Sequence, residues 1–517
     1  MIGGEAVLRS LVGSGVDVVF GNPGTSEMHF VATLDAVPEM RGVLALFEGV
    51  ATGAADGYAR MRDSPAAVLL HLGPGLGNGI ANLHNARRSH APVVVIVGDH
   101  ATYHAKFDAP LQSDIETEAR NVSSWIRRSA RSEDVGADAA AAVAAAYGPP
   151  GQVATLILPA DVSWSEGGVV AAPIARRQPA QVPVSTIEAA ARALRSGENT
   201  ALLLGGGAMR ERGVSTAARI AAATGAELLA ETFVARAERG AGVPNVQRLA
   251  YLGEMAAGQL DGLRRLILIG ARSPVSFFAY PGKPSDLVPE GCEVITLAGD
   301  GDDVIAALDA LALAVDARNE LAVTDAPRPD RPTGALGADT VALAIGALLP
   351  EGAIVSDEAA TSGTFLPGFT ARAPRHDWLS LTGGAIGQGL PVAVGAAVAC
   401  PDRPVLALEA DGSALYTVQS LWTMAREQLD VTTVIFSNRR YAILRMELAR
   451  VGATASGERA LQMLDIAPPE IDFVSLAQGF GVPASRPETA EAFSDALERA
   501  FAEPGPHLIE AVVPSLF

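Results

Sequence analysis

Residues 405–445 read VLALEADGSALYTVQSLWTMAREQLDVTTVIFSNRRYAILR, and the fold is decided by how this stretch is parsed. An apolar run, 405–409, breaks at Ala410-Asp411-Gly412-Ser413, and a second run, 431–436, breaks at Ser437-Asn438. Between them lies one helix's worth of chain, 416–428, so the spacing predicts strand, turn, helix, strand. A right-handed crossover lays the two strands parallel and brings Asp411 and Asn438 out at the same carboxyl-end edge, where open α/β sheets bind ligands. A carboxylate, an amide oxygen and a nearby main-chain carbonyl are hard donors suited to Mg²⁺ or Ca²⁺. Gly412 lets backbone approach closely, and Ser413 at a helix start offers N–H and hydroxyl donors to a diphosphate. An Asp-Gly-Ser turn that merely caps a helix is the commoner occurrence; the second strand ending in Asn makes the difference here.

Working outward, the chain's 517 residues are enough for about three domains. Hydrophobic residues make up 49% and charged residues 19%, a balance that supports a large core and argues against extensive disorder. A net charge of −19 leaves no broad basic surface for nucleic acid or anionic membrane, so an anionic cofactor must be held by a metal and backbone donors. Two cysteines, Cys292 and Cys400, make no disulfide framework, and with an N-terminus lacking a signal peptide's apolar stretch the expected compartment is the cytoplasm. Residues 383–400 are mostly small and apolar, but Gln388, Pro391 and the glycines predict a buried helix and no membrane span.

Strands alternate with helices along the whole chain. Expected strands are 16–20, 43–47, 66–72, 92–98 and 152–158; then 201–204, 226–230, 266–270 and 292–297; then 353–356, 405–409, 431–436 and 507–513. This is the pattern of parallel sheets covered on both faces. Pro-rich connectors at 171–184 and 316–334 divide the chain into 1–170, 185–315 and 335–517, which predicts three doubly wound parallel-sheet domains.

The motif resembles that of the thiamine-diphosphate enzymes, in which G-D-G-S is followed 25 to 30 residues later by N-N. Here Asn438 follows Asp411 by 27 residues, Ala410 replaces the first Gly, and Ser437-Asn438-Arg439 replaces Asn-Asn-Gly. The resemblance covers essentially the whole chain and implies pyrimidine-binding (1–170), central (185–315) and diphosphate-binding (335–517) domains. It implies Mg²⁺ on Asp411, Asn438 and the main-chain oxygen of Arg440, with Arg439 leaving open only the backbone shape of the loop. It places Gly412, Ser413, Ala360, Thr361 and Tyr441 on the cofactor, and Ile386 as the apolar wedge that bends it. The stretch 44–60, LALFEGVATGAADGYAR, matches E-x-x-A-x-x-A-A-D-G-Y-A-R, whose Glu, here Glu48, bonds the aminopyrimidine and starts the proton relay at the thiazolium. In isolation Glu48 reads as a first-turn carboxylate favoured by the helix dipole.

Similarity to benzoylformate decarboxylase extends to Thr25, in Gly21-Asn22-Pro23-Gly24-Thr25, facing the substrate carboxylate, and to His71, in a Leu-His-Leu-Gly-Pro-Gly turn, handling protons. That enzyme's second histidine has no counterpart in 274–280, PVSFFAY, so a second proton-transfer group is unassigned. Phe278, Ile443, Leu444 and Glu447 join Thr25 and His71 in the expected substrate pocket, and an acid at 447 favours a small or polar substrate. His100 and His104 lack a third ligand for a metal, and Gly205-Gly206-Gly207 is too short a signal to support the FAD that acetolactate synthase carries centrally.

The expected function is decarboxylation of a small 2-oxo acid with transfer of the acyl anion to an acceptor carbonyl, as in acetolactate synthase. The alternatives are simple decarboxylation or an inactive partner subunit. Family architecture adds a homodimer with shared active sites, assembled as a dimer of dimers.

Overall fold

The computed structural model describes residues 1–317, 327–452 and 457–516. Three sheets follow one another along the chain, each wrapped by helices. The first has six parallel strands in the spatial order Arg41–Leu44, Val18–Gly21, Ala66–His71, Val93–Asp99, Val153–Pro159 and Trp125–Arg128. The second runs Gln247–Arg248, Glu227–Ala230, Thr200–Leu204, Arg265–Ile269, Glu293–Ala298, again parallel. The third holds Ala484–Ser485, His507–Val512, Val431–Ser437, Val405–Ala410, Ile354–Glu358 and His376–Ser380, closed at one edge by the antiparallel Ala237–Arg239. That last strand comes from the middle of the chain, so the central stretch is stitched into the third sheet.

The expected strands are present to within a few residues. The largest difference is at 43–47, where the strand runs Arg41–Leu44 and Ala45 to Phe47 turn the chain into the helix Glu48–Arg62. The strands not foreseen are short or carry charge, as in the edge strand Trp125–Arg128 (WIRR), which is only partly covered, and His376–Ser380 (HDWLS), where burial by neighbours outweighs local composition. The expected helix 416–428 begins only at Ser420, after a four-residue turn Asp411–Ala414. Of the second connector, 318–326 lie outside the described residues, while 327–333 have no regular structure.

Two buried helices join the first and third sheets. Glu48–Arg62 is buried at every residue but its last, and Gly389–Ala399 at every residue. Their backbones touch: a Cβ on Gly395 would stand 1.8 Å from the Ala54 carbonyl oxygen, and one on Gly57 would stand 2.2 Å from that of Val392. The Ala/Gly-rich composition of both segments is thereby explained, and within 383–400 the helix Gly389–Ala399 is a core element. Among the described residues no helix is long and apolar enough to cross a membrane. Arg60 seals the junction, pairing with Asp56 at 2.5 Å and donating to the Ser380 carbonyl at 2.8 Å.

Candidate functional site

Chain order reverses in the third sheet between Ile354–Glu358 and Val405–Ala410, and the residues past those strand ends face the resulting crevice. Val405–Ala410 also pairs in parallel with Val431–Ser437, Ala410 opposite Phe436, so Asp411 and Asn438 emerge side by side as the sequence predicts. Both are buried. Asp411 accepts from the Gly412 N–H at 2.8 Å and the Arg439 N–H at 2.5 Å, and Asn438 Oδ1 accepts from the Arg440 N–H at 3.0 Å. Burial raises the Asp411 carboxyl pKa, and these backbone donors oppose that shift.

Arg439 takes φ +63°, the left-handed conformation a glycine adopts without strain. Gly412 forms a cradle: a Cβ there would stand 2.5 Å from Tyr441 Cε1. Ser413 is buried in the same turn, and Ala360, itself at φ +48°, opens the turn that carries Thr361. Ser362, in the same turn, accepts from Asn438 Nδ2 at 3.3 Å and fixes the amide. Asn438, Arg439 and Arg440 border an open cavity of about 880 Å³.

Among the described residues no three His, Cys, Asp or Glu converge to hold a metal alone. The donor set of one carboxylate, one amide and backbone therefore fits an ion that takes its remaining ligands from water and a diphosphate. His100 and His104 meet in a tilted arrangement at 5.4 Å between ring centroids, and among the described residues no third such ligand joins them.

The first sheet reverses between Val18–Gly21 and Ala66–His71, and here Thr25, Glu48 and His71 gather. Thr25 starts an exposed turn. Glu48 is buried and accepts from Asn78 Nδ2 at 3.1 Å; a Cβ on Gly75 would lie 3.5 Å from both Glu48 Oε1 and His71 Cβ. Asn82 Nδ2 spans the carbonyls of Gly49 (2.8 Å) and Gly387 (3.1 Å), tying the helix that Glu48 opens to the loop bearing Ile386.

The residue that sequence reasoning missed is Glu27. Only 2% exposed, it receives His71 Nδ1 at 2.9 Å, the Gly24 N–H at 2.7 Å and the Ser26 hydroxyl at 2.5 Å. Assigning the proton to Nδ1 leaves His71 Nε2 free to exchange one. Glu27 follows Thr25 by two residues in GTSE, but nothing in that spacing points to a partner 44 residues away.

The third sheet hides a pair of buried acids. Glu358 accepts from the Gly387 and Gly389 N–H groups at 2.8 and 2.6 Å, while the neighbouring Glu409, opposite it in register, is fully buried. Burial pushes Glu358 up to about 7 and raises Glu409 well above the carboxylate range.

Of the expected pocket residues, Ile443, Leu444 and Glu447 ride the helix Ala442–Arg450, while Phe278, on the central stretch, is exposed and packs edge to face on Phe277. The Tyr280 hydroxyl donates to Glu447 at 2.6 Å. A separate cavity of about 900 Å³ opens past the second sheet, lined by Gly206, Glu231, Tyr251, Arg272 and Phe277; no expected site residue lines it.

Residues 1–123 match the thiamine pyrophosphate enzyme N-terminal domain, and 361–511 match the C-terminal domain of the same family. The chain is 62% identical to "Putative acetolactate synthase large subunit IlvX" of Mycobacterium tuberculosis, with all of both chains covered. It is 30% identical to benzoylformate decarboxylase of Pseudomonas aeruginosa over 96% of each. The Rhodococcus jostii RHA1 thiamine diphosphate-dependent 4-hydroxybenzoylformate decarboxylase superposes with a TM-score of 0.87 at 25% identity over 99% of both chains. With its two switch-point clusters and these relatives, the chain belongs to the thiamine pyrophosphate enzymes and is related to both acetolactate synthases and benzoylformate decarboxylase.

Proposed function

We propose that this enzyme, with thiamine diphosphate and Mg²⁺ bound, decarboxylates a 2-oxo acid and transfers the acyl anion to an acceptor carbonyl. When bound, the cofactor supplies the carbanion chemistry. Asp411, Asn438 and the Arg440 carbonyl hold the ion; Gly412, Ser413, Ala360 and Thr361 take the diphosphate, with Tyr441 and Ile386 against the rest of the cofactor. Glu48 exchanges a proton with the aminopyrimidine. Thr25 orients the substrate carboxylate, and His71, steered by Glu27, moves protons at the reacting carbon.

The single observation that carries the reading is the buried Asp411–Asn438 pair on adjacent parallel strands, held by a left-handed turn at Arg439. Transfer is favoured over simple release because residues 274–280 hold no histidine to protonate the carbanion quickly. A second reading, release of an aldehyde, draws support from the Glu27–His71 pair.

The roles divide as 1–170 pyrimidine-binding, 185–315 central and 335–517 diphosphate-binding. The working unit is a cytoplasmic homodimer sharing active sites, paired into a tetramer. Exposed Leu415 and Tyr416 beside the crevice suit such a partner.

After exhaustive chelation, adding Mg²⁺ with thiamine diphosphate should raise the melting temperature, and cofactor C2 proton exchange should be fast in wild type and slow in Glu48→Gln. Equal exchange rates would remove Glu48 from the relay. Products from pyruvate and from benzoylformate then separate ligation from aldehyde release.

A further inference from the structure

Resting on the reading above, we infer that Asp465 is a positioning residue of the metal site: through the short strap 463–467 it holds the Arg440 carbonyl where it can serve as the ion's third protein ligand. Residues 438–441 lie between the end of the strand Val431–Ser437 and the start of the helix Ala442–Arg450, so neither element fixes where that carbonyl points. The strap does, by a two-bond antiparallel ladder. The Ile466 N–H donates to the Arg439 carbonyl at 3.0 Å, the Tyr441 N–H donates to the Leu464 carbonyl at 2.9 Å, and Arg440 stands opposite Asp465 between the two bonds.

In an antiparallel pair bracketed in this way, the facing residues exchange no hydrogen bonds and turn their own N–H and C=O groups away from each other. Arg440 follows that rule: its N–H leaves the strap and donates to Asn438 Oδ1 at 3.0 Å. Its carbonyl is therefore turned to the side of the Asn438 amide, and no backbone N–H among the described residues is bonded to it. The strap also reaches the other ligand-bearing turn, since a Cβ on Gly412 would stand 3.1 Å from Ile466 Cδ1.

Charge anchors the strap. The Asp465 carboxylate pairs with Arg445 on the helix Ala442–Arg450, and the same oxygen lies 3.7 Å from Arg440 Nε. With side chains only 28% and 22% exposed, Asp465 and Arg445 are screened less than a surface pair. The carboxylate also offsets two guanidinium charges beside a site meant for a cation. Arg439 reaches Glu470 at 2.7 Å, but Glu470 is 63% exposed and that tether adds little.

The test is a calorimetric titration of Mg²⁺ into chelated enzyme with thiamine diphosphate in excess. Asp465→Asn is expected to raise the Mg²⁺ midpoint by about tenfold to a hundredfold, the range seen when groups that orient a metal ligand are lost. Arg445→Gln, which unties the same carboxylate at a residue assigned to neither ion nor cofactor, is expected to shift the midpoint in the same direction, and it decides the matter if Asp465→Asn does not fold. Excess Mg²⁺ is expected to restore cofactor C2 proton exchange in both variants. A merely structural role would reduce the folded fraction without moving the midpoint. An unmoved midpoint, or an exchange defect that excess Mg²⁺ does not restore, overturns the inference while leaving the cofactor assignment standing. Wild-type enzyme that takes up no cofactor with Mg²⁺ overturns the proposed function and this inference with it.

Discussion

At the scale of single residues, the proton path turns on Glu27. A carboxylate that accepts from an imidazole Nδ1 fixes both the tautomer and the ring orientation. Glu27→Gln is expected to lower kcat/KM by about tenfold to a hundredfold, with an altered pH–rate profile. A profile superimposable on wild type would take Glu27 out of the path. Arg439 makes a separate claim about strain. A non-glycine residue in the left-handed region costs roughly 1–2 kcal/mol, and the N–H it carries is one that Asp411 needs. Arg439→Gly should therefore keep the Mg²⁺ dependence of cofactor binding at equal or higher stability, and Arg439→Val should lose about 1–2 kcal/mol in urea unfolding and bind Mg²⁺ more weakly. Equal Mg²⁺ titrations for the two variants would show that loop shape does not govern the ion. The candidate ligands themselves were legible from spacing, because two strand ends and a crossover are local features. Glu27 was not, because its partner is brought in by sheet pairing.

At the scale of elements, the crossing of Glu48–Arg62 over Gly389–Ala399 decides how the two switch-point clusters are set relative to each other. Two opposed effects meet at Gly395. Helix propensity alone favours Gly→Ala by about 1 kcal/mol. The added Cβ, however, would sit 1.8 Å from the Ala54 carbonyl oxygen, and that neighbour is backbone in a buried helix with no rotamer to change. Overpacking of this kind costs typically 1–3 kcal/mol and more where backbone must move, so Gly395→Ala is expected to lose about 3 kcal/mol in urea unfolding. A gain in stability would mean that the helices slide apart freely. Reading the sequence identified both helices but took 383–400 as one apolar unit. Only the packing distinguishes the loop that presents Ile386 from the helix that fills the core.

At the scale of the whole molecule, His376 reports on how tightly the central stretch is stitched into the third sheet. It is buried where His376–Ser380 pairs with Ala237–Arg239, its Nδ1–H donates to the Pro374 carbonyl at 2.7 Å, and its Nε2 meets no hydrogen-bond partner among the described residues. Burial, followed by the nearby Arg239, lowers its pKa from 6.5 to about 4. The unfolded chain therefore binds a proton between those values that the folded chain does not. Stability is full above about 6.5 and falls as pH drops towards about 4, by up to about 3 kcal/mol from this group. Denaturation curves between neutral and mildly acidic pH should show that loss in wild type and a smaller one in His376→Gln; parallel curves would refute it.

By itself the sequence determined the succession of three α/β sheets and the strand ends near which Asp411 and Asn438, and separately Glu48, Thr25 and His71, stand, while the roles expected of these residues came from the resemblance to the thiamine-diphosphate enzymes. The strand ends follow from local periodicity, which neighbouring residues set. Only the tertiary structure decided that Ser362 holds the Asn438 amide, that Glu27 holds His71, that Asn82 ties Gly49 to Gly387, and that Glu447 is spent on Tyr280 and Arg450. Each of these contacts except the Arg450 pair joins residues more than thirty positions apart along the chain. Such pairing is selected by shape and burial after the sheets assemble, and no sequence period records it.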